Sequence, residues 1–264
     1  MEYLHALILG VVQGVAEFLP VSSSGHLVIA DAILRDTAGL AAPRESVTME
    51  IALHFGTLLS ILVVFREDLL KLLKNRRLIL MIVVATIPVG VVGLAFKSVV
   101  ESAFGSPLLA GCALIITAGF LVAGRWLQKP EGKDLTSVSG TMATAIGVFQ
   151  AIAIVPGISR SGSTIAAGMA CGLNRPAAAR FSFLIALPAI GGATVLQLKK
   201  ILLDGQAFTG SLGAVALGTI VAFIVGLLSL KWLLKVVVAD RLHYFGIYCL
   251  IAGGATTIWQ LAKS

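Results

Sequence analysis

Apolar residues run along this chain in long blocks, and polar residues collect between the blocks instead of alternating within them. Six blocks, about 48–65, 78–96, 107–126, 181–198, 211–230 and 243–261, approach the roughly 20 residues that a membrane-crossing helix needs. They are too continuous for the strands of a membrane barrel. Two further regions are interrupted. Residues 3–19 carry Gln13 and Glu17 and stop at Pro20; Val21-Ser22-Ser23-Ser24-Gly25-His26 and a short apolar piece to Leu34 follow. Residues 141–155 stop at Pro156, and Gly157-Ile158-Ser159-Arg160-Ser161-Gly162-Ser163-Thr164 leads to another short piece ending at Leu173. Each pattern predicts a half-helix, a polar tip and a second half-helix. Such a re-entrant hairpin is tolerated at membrane depth only where protein buries it or where it lines a polar cavity.

The two interrupted regions match each other. A shift of 137 residues lays Gly10, Val11, Gln13 and Ala16 on Gly147, Val148, Gln150 and Ala153, and Ser22, Ser24 and Gly25 on Ser159, Ser161 and Gly162. A weaker echo pairs Ile51-Ala52-Leu53 with Ile185-Ala186-Leu187. The reading is one membrane domain over 1–264, duplicated internally at about 1–135 and 136–264, each copy holding one re-entrant hairpin and three transmembrane helices. Three crossings per copy reverse the second copy, so the expected fold is an all-α polytopic membrane protein with an inverted repeat, whose broken helices meet near the midplane. Charge orients it. The 66–77 loop, the loop from Arg125 through Lys129 and Lys133, and the 231–241 loop hold most of the basic residues and fall on one side by parity, which is therefore cytoplasmic. The poorer loops at 97–106 and 199–210 lie outside. The first hairpin then opens outward and the second inward.

Composition closes off other classes. Of 264 residues, 58% are hydrophobic and only 12% charged, and the mean hydropathy is +0.98. A soluble domain carries about 25% charged residues. So few charges would leave a globule of this size with large exposed apolar patches. The net charge of +7 and pI near 9.6 suit cytoplasmic loops beside anionic headgroups. No basic stripe interleaved with aromatics points to nucleic acid. Cys112, Cys171 and Cys249 lie in apolar stretches without zinc-type spacing and read as small buried hydrophobes. Residues 1–10 hold Glu2 and no Lys or Arg, unlike a cleavable signal peptide.

Arg160 changes this picture most. An arginine at bilayer depth costs about 2.5–3.5 kcal/mol on insertion scales. It is either a structural ion pair with an intramembrane acid such as Glu17 or Glu50, or an anion clamp. The second reading draws on its setting: Ser-Arg-Ser-Gly-Ser-Thr sits just before a half-helix, whose first N–H groups lack intrahelical partners. Free N–H groups, hydroxyls and a forked guanidinium make a phosphate site. Gly157-x4-Gly162-Ser163-Thr164 resembles a nucleotide-binding loop but lacks its lysine. The first tip supplies a carboxylate (Glu17), an imidazole (His26) and three hydroxyls (Ser22, Ser23, Ser24), with Gln13 one turn before Glu17 on the same face. Ser22 or Ser23 is expected to cap the 24–34 half-helix. A weak nucleophile, an acid/base pair and a cationic clamp suffice for phosphoryl transfer. Glu50 and His54, also at i and i+4, are a further pair for lining the site. The pairs Gly10/Gly14 and Gly168/Gly172 read as close packing rather than a dimer motif.

Gly-Val-Val-Gln-Gly-Val-Ala-Glu-Phe-Leu-Pro-Val-Ser-Ser-Ser-Gly-His (10–26) resembles the N-terminal signature of the bacitracin-resistance type of undecaprenyl pyrophosphate phosphatase. Pro-Gly-Ile-Ser-Arg-Ser-Gly-Ser-Thr (156–164) resembles its second signature. Length, hydropathy and motif order agree over nearly the whole chain. The resemblance implies a bacterial inner-membrane enzyme that hydrolyses the polyprenyl pyrophosphate to its monophosphate, recycling the carrier for peptidoglycan. It also implies that Glu17, Ser23, His26 and Arg160 are catalytic, with Ser23 as nucleophile and water or His26 as the alternatives. Gln13, Ser22, Ser24, Ser159, Ser161, Gly162, Thr164, Glu50 and His54 are the expected substrate contacts. Gln13 stands where many members have a second glutamate. A divalent cation, Mg2+ or Ca2+, fits a pyrophosphate substrate, at no assigned site; no organic cofactor is expected. The expected partners are the polyprenyl pyrophosphate and the bilayer, with a homodimer left open. The active site is expected to open to the periplasmic face. The competing class is a lipid-phosphate flippase or an ion-coupled transporter, since inverted repeats are frequent in transporters and fold does not fix function.

Overall fold

The computed structural model describes residues 2–38, 47–128, 131–203 and 211–263. Within them lie twelve α-helices: α1 (Glu2–Ala16), α2 (Ser23–Ala38), α3 (Val47–Val64), α4 (Arg66–Leu72), α5 (Arg76–Ala95), α6 (Lys97–Ala103), α7 (Pro107–Leu127), α8 (Gly140–Ile152), α9 (Arg160–Ala170), α10 (Arg175–Leu203), α11 (Leu212–Val238) and α12 (His243–Leu261). A short 3-10 turn covers Leu135–Ser137. The interrupted regions break where the prolines require. Proline cannot donate to the preceding turn and disfavours the helical region for the residue before it. α1 therefore ends four residues before Pro20, and α8 four residues before Pro156.

Helices α5, α7, α10 and α11 are each long and apolar enough to cross a membrane. α3 and α4 form a bent pair, turning 73° at Phe65, that makes a fifth crossing if counted as one. α12 was expected as a sixth span; its 19 residues include His243, two tyrosines and two threonines, and it does not join that apolar set. The helices thus make a multi-pass membrane protein. Other boundaries move. The expected 231–241 loop is helical to Val238, so Lys231 and Lys235 extend α11 beyond its apolar stretch. The expected 97–106 loop contains α6, and the span expected from 181 begins at Arg175. Part of the 199–210 loop lies outside the described residues.

The second half echoes the first in helix register. α2 and α9 start 137 residues apart; α5 and α11, and α7 and α12, start 136 apart. The contacts echo too, and they cross between halves. α1 packs on α11, and α8 packs on α5. A β-carbon on Gly10 would stand 2.8 Å from both Gly218 O and Val221 Cβ, and one on Gly147 only 2.5 Å from Ala85 O. Position 221 follows position 85 by the same 136 residues. Glycine lets backbones approach this closely, which matters where lipid is as apolar as the side chains and helix association rests on packing. The same holds at Gly14, 2.8 Å from Gly226 N, and at Gly168, 3.0 Å from Ala178 Cβ. Gly172 differs: its site is open, and its φ of +91° marks a turn that ends α9 rather than a packing contact. The cysteines also differ from expectation, since Cys249 is buried but Cys171 is half-buried and Cys112 exposed.

A core of Phe18, Phe65, Phe181, Phe183, Ile61, Ile165 and Leu230 fills the centre of the bundle. Phe183 lies 5.9 Å from Phe18 edge-on and 5.8 Å from Phe65, tying α3 and α10 behind the first tip. One end of the bundle is charged. Asp240 receives Arg175 at 3.1 Å and Arg125 at 3.5 Å, and Asp68 receives Arg180 at 3.6 Å. This gathers α4, the end of α7, the start of α10 and the end of α11. Contacts between Tyr3 and Ser211 and between Asp36 and Lys263 join other helix ends, namely the starts of α1 and α11 and the ends of α2 and α12.

Candidate active site

The two tips fold by the same local rule. Ser22 caps α2 by accepting from Gly25 N at 3.3 Å, and Ser159 caps α9 by accepting from Gly162 N at 3.1 Å. Each cap hydroxyl also lies near the serine two residues on: Ser24 at 3.4 Å and Ser161 at 3.3 Å. A capping oxygen takes up an N–H that the first turn would otherwise leave unpaired. Ser22 does more. Its Oγ accepts from Gly157 N at 3.1 Å, so one hydroxyl ties the two tips together. Ser22 holds a left-handed φ of +65°, which costs a non-glycine residue about 1–2 kcal/mol. Opposite it, Gly157 needs its φ of +99°, and a β-carbon there would lie 2.3 Å from Ala110 O. Thr117 of α7 completes the joint, donating to Gly157 O at 2.8 Å and accepting from Ser159 N at 2.9 Å.

Glu17 and Arg160 meet across this joint. Arg160 Nη2 donates to Glu17 Oε1 at 2.7 Å, with the side chains only 16% and 10% exposed. The other carboxylate oxygen accepts from Gln13 Nε2 at 3.1 Å, and His54 Nε2 stands 3.9 Å from it. The guanidinium lies 5.9 Å from the Phe183 ring. Its second terminal nitrogen, Nη1, is buried and has no hydrogen-bond partner among the described residues. A buried charged donor without an acceptor is costly, so this nitrogen is ready for an anion. Both expected readings of Arg160 therefore have a physical basis here: one arm of the fork forms an ion pair with Glu17, and the other is free.

His26 faces elsewhere. Its Nδ1 is 2.9 Å from Ser22 O, its Nε2 is 2.7 Å from the Tyr248 hydroxyl, and its ring stacks on Tyr248 at 5.6 Å. Ser23, the first residue of α2, is half-buried, and among the described residues no hydrogen bond engages its hydroxyl. The second tip is closed by comparison. Ser159, Ser161 and Thr164 are at most 2% exposed. Ser161 Oγ donates to Leu19 O at 3.4 Å, and Thr164 Oγ1 is shared between Arg160 O at 2.7 Å and the Ser182 hydroxyl at 2.6 Å. Gly162 packs beside Pro20. Glu50 and His54 do not pair through their side chains: His54 Nδ1 meets Glu50 O at 2.9 Å, and among the described residues nothing engages the Glu50 carboxylate.

Among the described residues, no three His, Cys, Asp or Glu side chains gather as a metal cage. Both oxygens of Glu17 are already engaged, so these residues do not by themselves form a cation site. The sequence reading missed Tyr248, Thr117 and Ser182. Thr117 was findable in principle, as a hydroxyl in the middle of an apolar span, where polar side chains seek partners. Tyr248 gave no such signal, because interfacial tyrosines are common in membrane helices.

The profile of the family described as bacitracin resistance protein BacA matches residues 6–255. A protein of Rhodopirellula baltica named undecaprenyl-diphosphatase is 48% identical over 254 residues, covering 96% of each chain. Proteins of the same name from Parabacteroides distasonis and Bacteroides thetaiotaomicron are 41% and 40% identical over 275 and 273 residues, covering 99–100% of this chain and all of theirs.

Proposed function

The chain belongs to the bacitracin resistance protein BacA family, and from that membership we propose that it is a membrane phosphatase, hydrolysing undecaprenyl pyrophosphate to the monophosphate and inorganic phosphate. The observation that carries the chemistry is the buried Glu17–Arg160 pair with Arg160 Nη1 free. The free arm takes a terminal phosphate oxygen, and the arm on Glu17 keeps the guanidinium plane fixed. Preorganised donors of this kind stabilise the charge that develops in phosphoryl transfer.

Ser23 is the nucleophile in this reading. Among the described residues nothing engages its hydroxyl, it opens α2, and His26 lies three residues on, on the same helical face. Serine attack forms the Oγ–P bond and breaks the bond from that phosphorus to the bridging oxygen, releasing the lipid monophosphate. Water then attacks the phosphoserine and releases inorganic phosphate. His26 and Glu17 move the protons. Gln13 and His54 orient Glu17; Ser22, Ser159, Ser161, Gly162 and Thr164 hold the two tips in register around the diphosphate. Ser24 and Glu50 complete the lining. A divalent cation, Mg2+ or Ca2+, would neutralise phosphate charge if it were bound together with the substrate; among the described residues no three His, Cys, Asp or Glu side chains gather to hold it.

The two halves form an inverted repeat with paired re-entrant hairpins, a reading supported by the helix register and by the matching Gly10 and Gly147 contacts. The charged end bearing Arg125, Arg175 and Arg180 is cytoplasmic, and the first tip opens to the periplasmic side of the inner membrane. A flippase or ion-coupled carrier is not favoured, because the relatives carry a diphosphatase name. The test is phosphate release from undecaprenyl pyrophosphate by purified protein in detergent, where no gradient exists. Multiple turnovers are expected; a purified, folded protein that releases no phosphate overturns the reading.

A further inference from the structure

The tautomer of His26 follows from its partners. Ser22 O can only accept, so the proton between it and His26 sits on Nδ1. The lone pair of the neutral ring is then on Nε2, and the Tyr248 hydroxyl, 2.7 Å away, donates to it. The phenol also stacks on the imidazole with only 9° between the planes, so the two rings are held as a unit. This constrains the chemistry. Nε2 is the only nitrogen of His26 that can take a proton, and it already has a donor on it. Any proton reaching His26 either displaces the phenol or passes through it.

The geometry points to passage: Tyr248 is a positioning residue that fixes the His26 tautomer and relays protons to Nε2. A proton arrives on the phenol oxygen as the phenol's own proton moves to Nε2, so Tyr248 is neutral before and after and His26 becomes imidazolium. The hydroxyl can donate to the neutral ring and accept from the charged one, so the same hydrogen bond serves both states. In the diphosphatase reading above, the arriving proton is the one Ser23 loses as its oxygen bonds to phosphorus, and water carries it to the phenol, because among the described residues no hydrogen bond joins Ser23 to Tyr248. Ser23 lies one turn before His26 on α2, and Tyr248 reaches the same helix from α12. A hydroxyl that both donates and accepts suits a site where the one basic nitrogen would otherwise be open to solvent, because Tyr248 is itself 47% exposed.

Tyr248→Phe tests this directly, since it keeps the stacked ring and deletes only the oxygen. In purified protein, kcat for phosphate release is expected to fall about 10- to 100-fold, within or below the range for positioned acid–base groups, with KM changed less than threefold. Nitrogen NMR of protein labelled in histidine, with the His26 signals identified by their loss in His26→Gln, is expected to show Nδ1–H and a hydrogen-bonded, unprotonated Nε2 in the wild type. The Nε2 signal should lose its hydrogen-bond shift in Tyr248→Phe. A variant whose kcat stays within twofold of wild type, or rises, overturns the relay and makes the phenol a placeholder. A wild-type spectrum with the proton on Nε2 overturns it as well. A wild type that releases no phosphate at all overturns the diphosphatase reading, and the relay falls with it.

Discussion

The two polar tips, at the starts of α2 and α9, share a sequence pattern, a capping serine and a helix break before a proline, yet they differ in what they leave accessible. At the first tip, Ser23, Ser24 and His26 are partly open, and among the described residues nothing engages the Ser23 hydroxyl. At the second, Ser159, Ser161 and Thr164 are closed off, with every hydroxyl taken by a neighbouring backbone or side-chain group. Similar local chemistry has thus been put to two uses. In the proposed chemistry the first tip presents the reacting groups. The second is a rigid platform from which one side chain, Arg160, reaches across. A serine-rich motif is therefore not evidence of substrate contact until its hydroxyls are accounted for.

The sharpest test of this difference compares Ser23→Ala with Ser161→Ala. The first is expected to lower phosphate release by about a thousandfold or more, as loss of a nucleophile does, while the protein still binds substrate. The second is expected to change kcat less than about threefold and to lower the midpoint of unfolding in a detergent titration, because a net hydrogen bond contributes about 1 kcal/mol. Equal losses in the two would show that the tips share the chemistry. Arg160→Lys comes next. Lysine keeps the charge facing Glu17 but cannot fork between it and a phosphate, so kcat should fall about a hundredfold in a protein that purifies normally. Near-normal turnover would reduce Arg160 to an ion-pair partner. The mildest test leaves activity aside. In a cysteine-free background, Ser24→Cys and Lys71→Cys should react with an impermeant reagent from opposite faces of the membrane. Reaction of both from one face would contradict the assignment of the open tip to the outside.

Much of this was legible in the chain. Pro20 and Pro156 announced the breaks, the 137-residue shift announced the matching caps, and Glu17 and Arg160 announced themselves as charges where charge is costly. Their meeting was one of two readings, and only geometry could show that a single guanidinium serves as an ion-pair partner while keeping a free arm. What stayed hidden has a common cause. Hydropathy separates apolar from polar, but lipid and protein interior are both apolar, so it cannot say which face of a span is packed. Cys112 was read as buried and is exposed; Gly172 was read as packing and is a turn. Lys231 and Lys235 looked like loop residues because charge was taken to end a span, although a helix continues past the apolar stretch at little cost when long side chains extend toward the interface. Tyr248 was invisible for a related reason: its importance lies in a partner 222 residues away.

The crossed packing of α1 on α11 and of α8 on α5 has a consequence for how the molecule is made. Gly10 and Gly14 lie against Gly218, Val221 and Gly226, which the ribosome adds roughly 200 residues later. At about 5–20 residues per second, that is an interval of roughly 10 to 40 s. For that time α1 and the start of α2 carry Gln13, Glu17 and three serines without α11 to pack against, and for roughly the first two thirds of it without Arg160, which follows Glu17 by 143 positions. This polar tip has to be sheltered in the interim by water at the membrane surface or by the insertion machinery. α8 meets no such delay, because α5, the surface that Gly147 needs, has already been synthesised when α8 emerges.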